Sequence, residues 1–206
     1  MTLQRWLETR GLGYRRRAEA LQRARRKVGA RDVAAFVLFT PRQSYERAVV
    51  EWRRWRRTGE VRGSFAATRA RYIAALPGSN RWYGRRPGES GAEWCARFES
   101  LAGLGPAKAP FLCSLLAPLA IDIPVCLDVW MLRVLGAANP DRPSRGSFRW
   151  AEHKLQRWTR AIGWRPFPLQ WAIWDYVRTA GANGQTLFVQ QTDIARDLVG
   201  PEGLGV

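Results

Sequence analysis

Residues 101–135 read LAGLGPAKAPFLCSLLAPLAIDIPVCLDVWMLRVL, and their order decides the architecture. The stretch predicts the end of one helix, a Gly-rich turn, a second helix, a Pro-containing loop, and a carboxylate opening a third helix. Gly103 and Gly105, two apart, permit a tight turn with positive φ and no Cβ in the way of an approaching ligand. Pro106 falls at a natural first helical position. The exposed N–H groups of that helix start, with the helix dipole behind them, favour an anion. Lys108 adds charge in the same first turn. Asp128 follows 23 residues after Gly105, just past Pro124. Val125, Val129, Leu132 and Leu135 form an apolar stripe beside it. A carboxylate so placed is either a helix cap or a functional acid held against an apolar wall.

Outward from this stretch the chain reads as helical. Strand-type alternation is absent, and apolar residues recur at three- and four-residue spacings. A basic helix is expected over 15–28. Asp32 is expected to cap a second helix ending near Phe39, and Pro41 to open a third that stops at Gly59. Tyr45, Val49, Trp52 and Arg56 share one face of that helix. A further helix is expected over 64–75. The run PGSNRWYGRRPGESG, 77–91, is a loop by composition and the expected boundary between two lobes. The hairpin helices are expected over 92–101 and 106–117, with Pro110 weakening one backbone bond of the second. Ser147 is expected to cap a helix through Trp158, and an aromatic helix covers 168–180. The expectation is one bilobal domain over 1–206. Its N-terminal lobe covers about 1–80, a hairpin and acid lobe about 92–137, and C-terminal helices over 147–199 complete it.

The charge points to a partner. The sequence carries 34 Lys+Arg against 17 Asp+Glu, a net charge of +17. Lysine is scarce, so the charge is nearly all Arg, whose planar fork matches phosphate oxygens and stacks on bases. A high-GC genome explains Arg over Lys, but not a twofold excess of cations over anions. Nucleic acid is therefore the expected partner, and an anionic membrane surface is its competitor. Cys95, Cys113 and Cys126 are far apart and form no CxxC pair, so neither a zinc ribbon nor an iron–sulfur cluster is expected. They read as core thiols of a reducing compartment. No apolar run reaches the length of a membrane span, and the first residues lack the apolar core of a secretory signal. A cytoplasmic monomer without cofactor or metal is expected. His153 reads as a surface residue, and Asp175 as a buried acid paired with a core-facing Arg.

LAGLGPAKA followed by LDVWMLRVL resembles the signature of the helix-hairpin-helix DNA glycosylases, the HhH-GPD superfamily. That signature has a hairpin of type LPGxGxxxA, a second helix, a Pro-containing loop and a D-x-H-x-x-R run. The resemblance spans roughly 92–136. FVLFTPRQSYERAV, 36–49, looks like the early segment that inserts a wedge into the duplex, which would give Arg42 or Gln43 that role. The resemblance implies an all-α, two-lobed fold with double-stranded DNA in a cleft between lobes. It implies Asp128 as the catalytic carboxylate, and Gly103, Gly105, Ala107 and Lys108 as the turn that grips the strand. The family His is Trp130 here. Members with lyase activity carry a Lys at the place of Ala107. Lys108 stands one position later, a rotation of about 100°, which aims it at phosphate in preference to a sugar carbon. Lys108 nevertheless joins Asp128 in the candidate catalytic pair as the amine nearest the turn. The pattern is closest to monofunctional members.

Breaking an N-glycosidic bond develops positive charge on the sugar, and a carboxylate beneath the ring stabilises it. The base must first leave the stack, which calls for a pocket. Trp82, Tyr83 and Trp130 are the candidate walls. A monofunctional glycosylase is the leading reading. A phage-type enzyme altering an extruded modified thymine on the same fold is the second, and a non-catalytic hairpin DNA binder the third.

Overall fold

The computed structural model describes residues 3–41, 44–63 and 65–180. Among them every regular element is helical: α1 (Leu3–Ala24), α2 (Ala30–Phe39), α3 (Tyr45–Thr58), α4 (Ala66–Ala74), α5 (Gly91–Glu99), α6 (Lys108–Leu116), α7 (Val129–Leu135), α8 (Arg145–Ile162) and α9 (Pro166–Ala180). Short 3-10 turns fill Arg25–Lys27 and Asn80–Tyr83. None of these helices is long and apolar enough to cross a membrane. The expected wedge residues Arg42 and Gln43, and the part of the C-terminal prediction beyond residue 180, lie outside the described residues.

The central element is α2. Val33 through Phe39 are all buried, as expected of a helix apolar on every side. α3, α4 and α6 pack around it. The indole of Trp52 on α3 stands edge-on to Phe36 at 5.6 Å and donates to the Asp32 carbonyl at 2.9 Å. α1 buries Trp6, Tyr14, Ala18 and Leu21 along one stripe and lies against α9. On α9, Asp175 is buried. It accepts from the Tyr14 hydroxyl at 2.9 Å and faces Arg17 at 3.9 Å, so the expected Arg partner is joined by a phenol.

Several helix starts differ from the sequence reading. Gly29, not Asp32, is the N-cap of α2; Asp32 lies in its first turn and pairs with Arg56 at 3.3 Å. α3 begins after Ser44, whose hydroxyl accepts from the Arg47 N–H, and not at Pro41. An available hydroxyl cap outweighs a merely permissive Pro. For the same reason Ser144, not Ser147, caps α8, and the Ser147 N–H donates to it at 3.1 Å. Pro110 does little harm, because α6 runs from Lys108 and Pro110 sits in a first turn whose N–H groups lack helical acceptors anyway.

Among the described residues the apolar side chains form two cores. The larger joins α1 to α6 with Phe167, Trp171 and Ala172 of α9. The smaller joins Val125, Leu127 and α7 with Ala151 and Leu155 of α8 and Leu169 and Ile173 of α9. The change from one core to the other does not fall at the 77–91 loop. Tyr83 within it and Trp94 and Phe98 after it share the larger core with Phe36. Among the described residues that change falls later, between Ile123 and Val125. Composition marks a loop, but it does not show whether the chain crosses to a new core there.

Two ion pairs hold the 77–91 loop, Arg85 with Asp122 and Glu89 with Arg97. Arg97 donates to the two Glu89 oxygens at 2.9 and 3.0 Å and also to the carbonyls of Trp82 and Gly84. Its bonds hold Glu89 down to about 2, from an ordinary 4.5. A carboxylate with a depressed folded pKa stabilises above its unfolded pKa and loses that contribution as pH falls through the folded one. Acid melting of the wild type should therefore show a loss between about pH 4.5 and 2. Glu89→Gln should lower the melting temperature at neutral pH and flatten that acid segment. An unchanged acid profile in the variant would refute the assignment.

Candidate functional site

The hairpin starts from a well-made helix. Ser90 and Glu93 form a reciprocal capping box at the head of α5. Past α5, Leu104 is fully buried and anchors the turn. The two glycines then do different things. Gly103 takes φ +85, and an added Cβ would stand 2.5 Å from Tyr72 Cδ2 and 2.8 Å from Leu38 Cδ2. Gly105 has no positive φ, and nothing lies within 4 Å of where its Cβ would be. The sequence reading gave both a turn role; Gly103 alone has it. Gly105 is exposed, with open space in front. Its carbonyl accepts from the N–H groups of Lys108 and Ala109 at 2.9 and 3.0 Å, and Pro106 stands in the turn just before α6, which starts at Lys108 and not at residue 106 as expected. The N–H groups of Gly105 and Ala107 find no protein acceptor among the described residues. They are donors ready for an anion. The Lys108 amine reaches back to the Gly103 carbonyl at 3.5 Å.

The loop after α6 is pinned before it delivers the acid. Asp122 takes a two-pronged bond from Arg85 and accepts from the Gly91 N–H at 3.2 Å. Val125 and Leu127 are buried on the second core. Asp128 then caps α7, its Oδ1 accepting from the Met131 N–H at 2.9 Å. Among the described residues no basic side chain pairs with it. Burial pushes this carboxyl above its ordinary range, against the opposing pull of the Met131 and Trp130 N–H groups. Of the expected apolar stripe, Val125, Leu132 and Leu135 are buried, while Val129 is only half-buried.

Burial pushes the Cys126 thiol well up; the charge of Asp128 raises it further and that of Lys108 lowers it. The Cys126 N–H donates to Gln170 Oε1 on α9 at 3.0 Å. Gln170 is 6% exposed, and its amide nitrogen has no protein partner among the described residues. The sequence reading missed it. The available signal was a lone polar residue inside the apolar run PFPLQWAIW.

Of the three expected pocket walls, Trp82 and Tyr83 stay together, ring centroids 5.3 Å apart, while Trp130 lies on α7. Trp130 is 42% exposed at the head of α7, with the Arg133 guanidinium 4.7 Å over its ring and Asp141 holding Arg133 at 2.6 Å. Tyr83 is fully buried, donates to the Pro77 carbonyl at 3.1 Å, and is pushed up to about 12 by burial. It is core, and its expected pocket role is corrected. Trp82 packs on Phe98 at 5.7 Å beneath Arg97, which makes it part of the loop clamp. His153 is exposed on α8, as expected.

No protein-family model and no curated protein matches the sequence. Two solved structures match the fold. One is the Methanocaldococcus jannaschii 8-oxoguanine glycosylase/lyase in complex with a 15mer DNA containing 8-oxoguanine. It aligns at TM-score 0.70 and 16% identity, over 91% of this chain and 100% of that one. The other is the 8-oxoguanine DNA glycosylase of Thermotoga maritima, at TM-score 0.67 and 18% identity, over 89% and 95%. The chain therefore shares the all-helical fold of these two structures.

Proposed function

We propose that this chain, built on the glycosylase fold, is a monofunctional DNA glycosylase that acts on an extruded base with Asp128 as its catalytic carboxylate. The observation that carries this is Asp128 itself, a half-buried acid at the head of α7 with no cationic partner among the described residues. A plain cap has no need of burial. A stabiliser of positive charge on a sugar is stronger for it, because low dielectric magnifies its field.

In this reading the Gly105 and Ala107 N–H groups hold a phosphate of the damaged strand. Trp130 and the Gln170 amide meet the extruded base, one by stacking and one by hydrogen bonding. Extrusion costs a few kcal/mol, offset by phosphate contacts and stacking. As the glycosidic bond breaks, the Asp128 carboxylate stabilises the cationic sugar and orients water for attack on C1′. The Lys108 amine lies 3.5 Å from the Gly103 carbonyl, and in this reading it serves the hairpin's phosphate in place of forming an imine with the sugar. Both fold neighbours bear the name of 8-oxoguanine, which makes an 8-oxoguanine duplex the first substrate in a panel of damaged and modified bases.

The expected result is free base with an intact abasic strand, and no protein–DNA adduct on borohydride treatment. Lys108→Ala should weaken DNA binding and leave single-turnover base release near wild type. Strand cleavage or a trapped adduct that disappears in Lys108→Ala would show a lyase instead. No base freed from any member of the panel would end the enzyme reading.

A further inference from the structure

The cations of α8 are arranged, not scattered. Arg145, Arg149, His153, Arg157 and Arg160 are all exposed and fall at steps of four, four, four and three residues. At about 100° and 1.5 Å per residue they occupy one arc of roughly 120° and run for about 22 Å along the helix. None of these arginines enters an ion pair among the described residues. The other cation of the helix is turned away, since the Lys154 amine donates to the Leu135 carbonyl at 2.6 Å at the end of α7. Glu152, the carboxylate of α8, is half-buried on the flank of the row.

The opposite face of α8 settles what kind of surface this is. Ala151 and Leu155 are fully buried, and Phe148 and Trp158 pack on the same second core. A membrane-surface helix needs its apolar face free to enter the lipid; here that face is already spent on α7 and α9. What remains outward is a row of basic side chains whose backbone positions step by about 4.5–6 Å along the axis, four arginines with an imidazole in the middle, backed by packed helix. Rigid spacing suits a polyanion of regular repeat, and Arg forks suit phosphate.

We infer that the outward face of α8 is a second track for the DNA backbone, separate from the hairpin, which belongs to the other core. The inference rests on DNA being the partner, as proposed above. The track adds sequence-independent affinity and holds the duplex at a point the hairpin does not touch. Each phosphate neutralised contributes about −0.9 to the slope of log K against log salt.

The test compares the full wild-type chain with Arg145→Gln/Arg149→Gln/Arg157→Gln and with the same three changed to Lys, using fluorescence anisotropy on an undamaged duplex over a salt series. The Gln variant should keep its melting temperature, bind DNA more weakly, and show a slope less negative by about 2–3. The Lys variant should keep most of the slope. A Gln variant with the wild-type slope, or Gln and Lys variants equally impaired, would overturn the track while leaving hairpin binding intact. A wild type that binds phosphatidylserine vesicles but not DNA would overturn both this inference and the proposed function.

Discussion

Asp128→Asn removes base release and leaves the fold as stable as wild type, or slightly more so. The two halves of this outcome come from one geometry. Asp128 caps α7 through the Met131 N–H, and Asn caps a helix as well as Asp does. The substitution therefore keeps the cap. What it removes is a charge that burial disfavours, as the raised carboxyl shows. A carboxylate with a raised folded pKa binds its proton more tightly in the native state than in the unfolded one. At neutral pH its ionised form thus costs stability, and that cost grows as pH rises through the folded pKa. Base release should fall at least about a hundredfold, the scale of losing one pre-aligned electrostatic stabiliser. Asp128→Ala should also lose activity, but at a cost of about 1 kcal/mol in stability for the missing cap. If Asn and Ala melted alike, well below wild type, and both still freed base, Asp128 would be a cap and nothing more.

The same raised pKa fixes the acid limb of the rate profile. Catalysis needs the charged carboxylate, so single-turnover release should fall with decreasing pH at a midpoint above the ordinary 3.8 of an aspartate. The acid limb should vanish together with the activity in the Asn variant. A rate that holds through acid pH down to the unfolding transition would show that Asp128 is not the group whose charge matters.

What the sequence made legible was local. The Gly-rich turn, the helix on either side of it and the acid opening α7 all follow from steric and capping rules that act over a few residues. Gly59 as the stop of α3 is another such case, with φ +73. Placement across cores was not legible. Nothing in WYGRRPGES tells that Tyr83 turns inward while Arg97, a helical turn beyond the loop, gathers its carbonyls. Aromatic residues beside Gly and Arg look the same as text whether they line a pocket or plug a core; the neighbours that decide it lie on α2 and α5. Gln170 was hidden for a related reason. Its partner, the Cys126 N–H, is 44 residues away in sequence. Spacing rules reach one helix at a time, and this site is assembled from three.

The paired glycines provide the sharpest separation of folding from binding. Gly103→Ala places an L-residue at φ +85 and drives its Cβ against Tyr72 and Leu38, at 2.5 and 2.8 Å. Backbone strain of about 1 kcal/mol or more adds to overpacking of about 1–3 kcal/mol. A total of roughly 2–4 kcal/mol should lower the melting temperature by about 5–15 °C in a chain of this size. Leu38 belongs to α2 at the centre of the larger core, so the clash cannot be absorbed by a free surface side chain. Gly105→Ala meets neither penalty, having no positive φ and open space where the methyl would go. Its melting temperature should match wild type. That same open space is where a phosphate would approach the Gly105 and Ala107 N–H groups. The methyl should therefore weaken DNA binding by about tenfold, or 1.4 kcal/mol, in a protein that is otherwise intact. Thermal melting and anisotropy on both variants decide the matter. Equal losses of stability would mean that both glycines merely build the turn, and wild-type affinity in Gly105→Ala would move the phosphate away from the hairpin altogether.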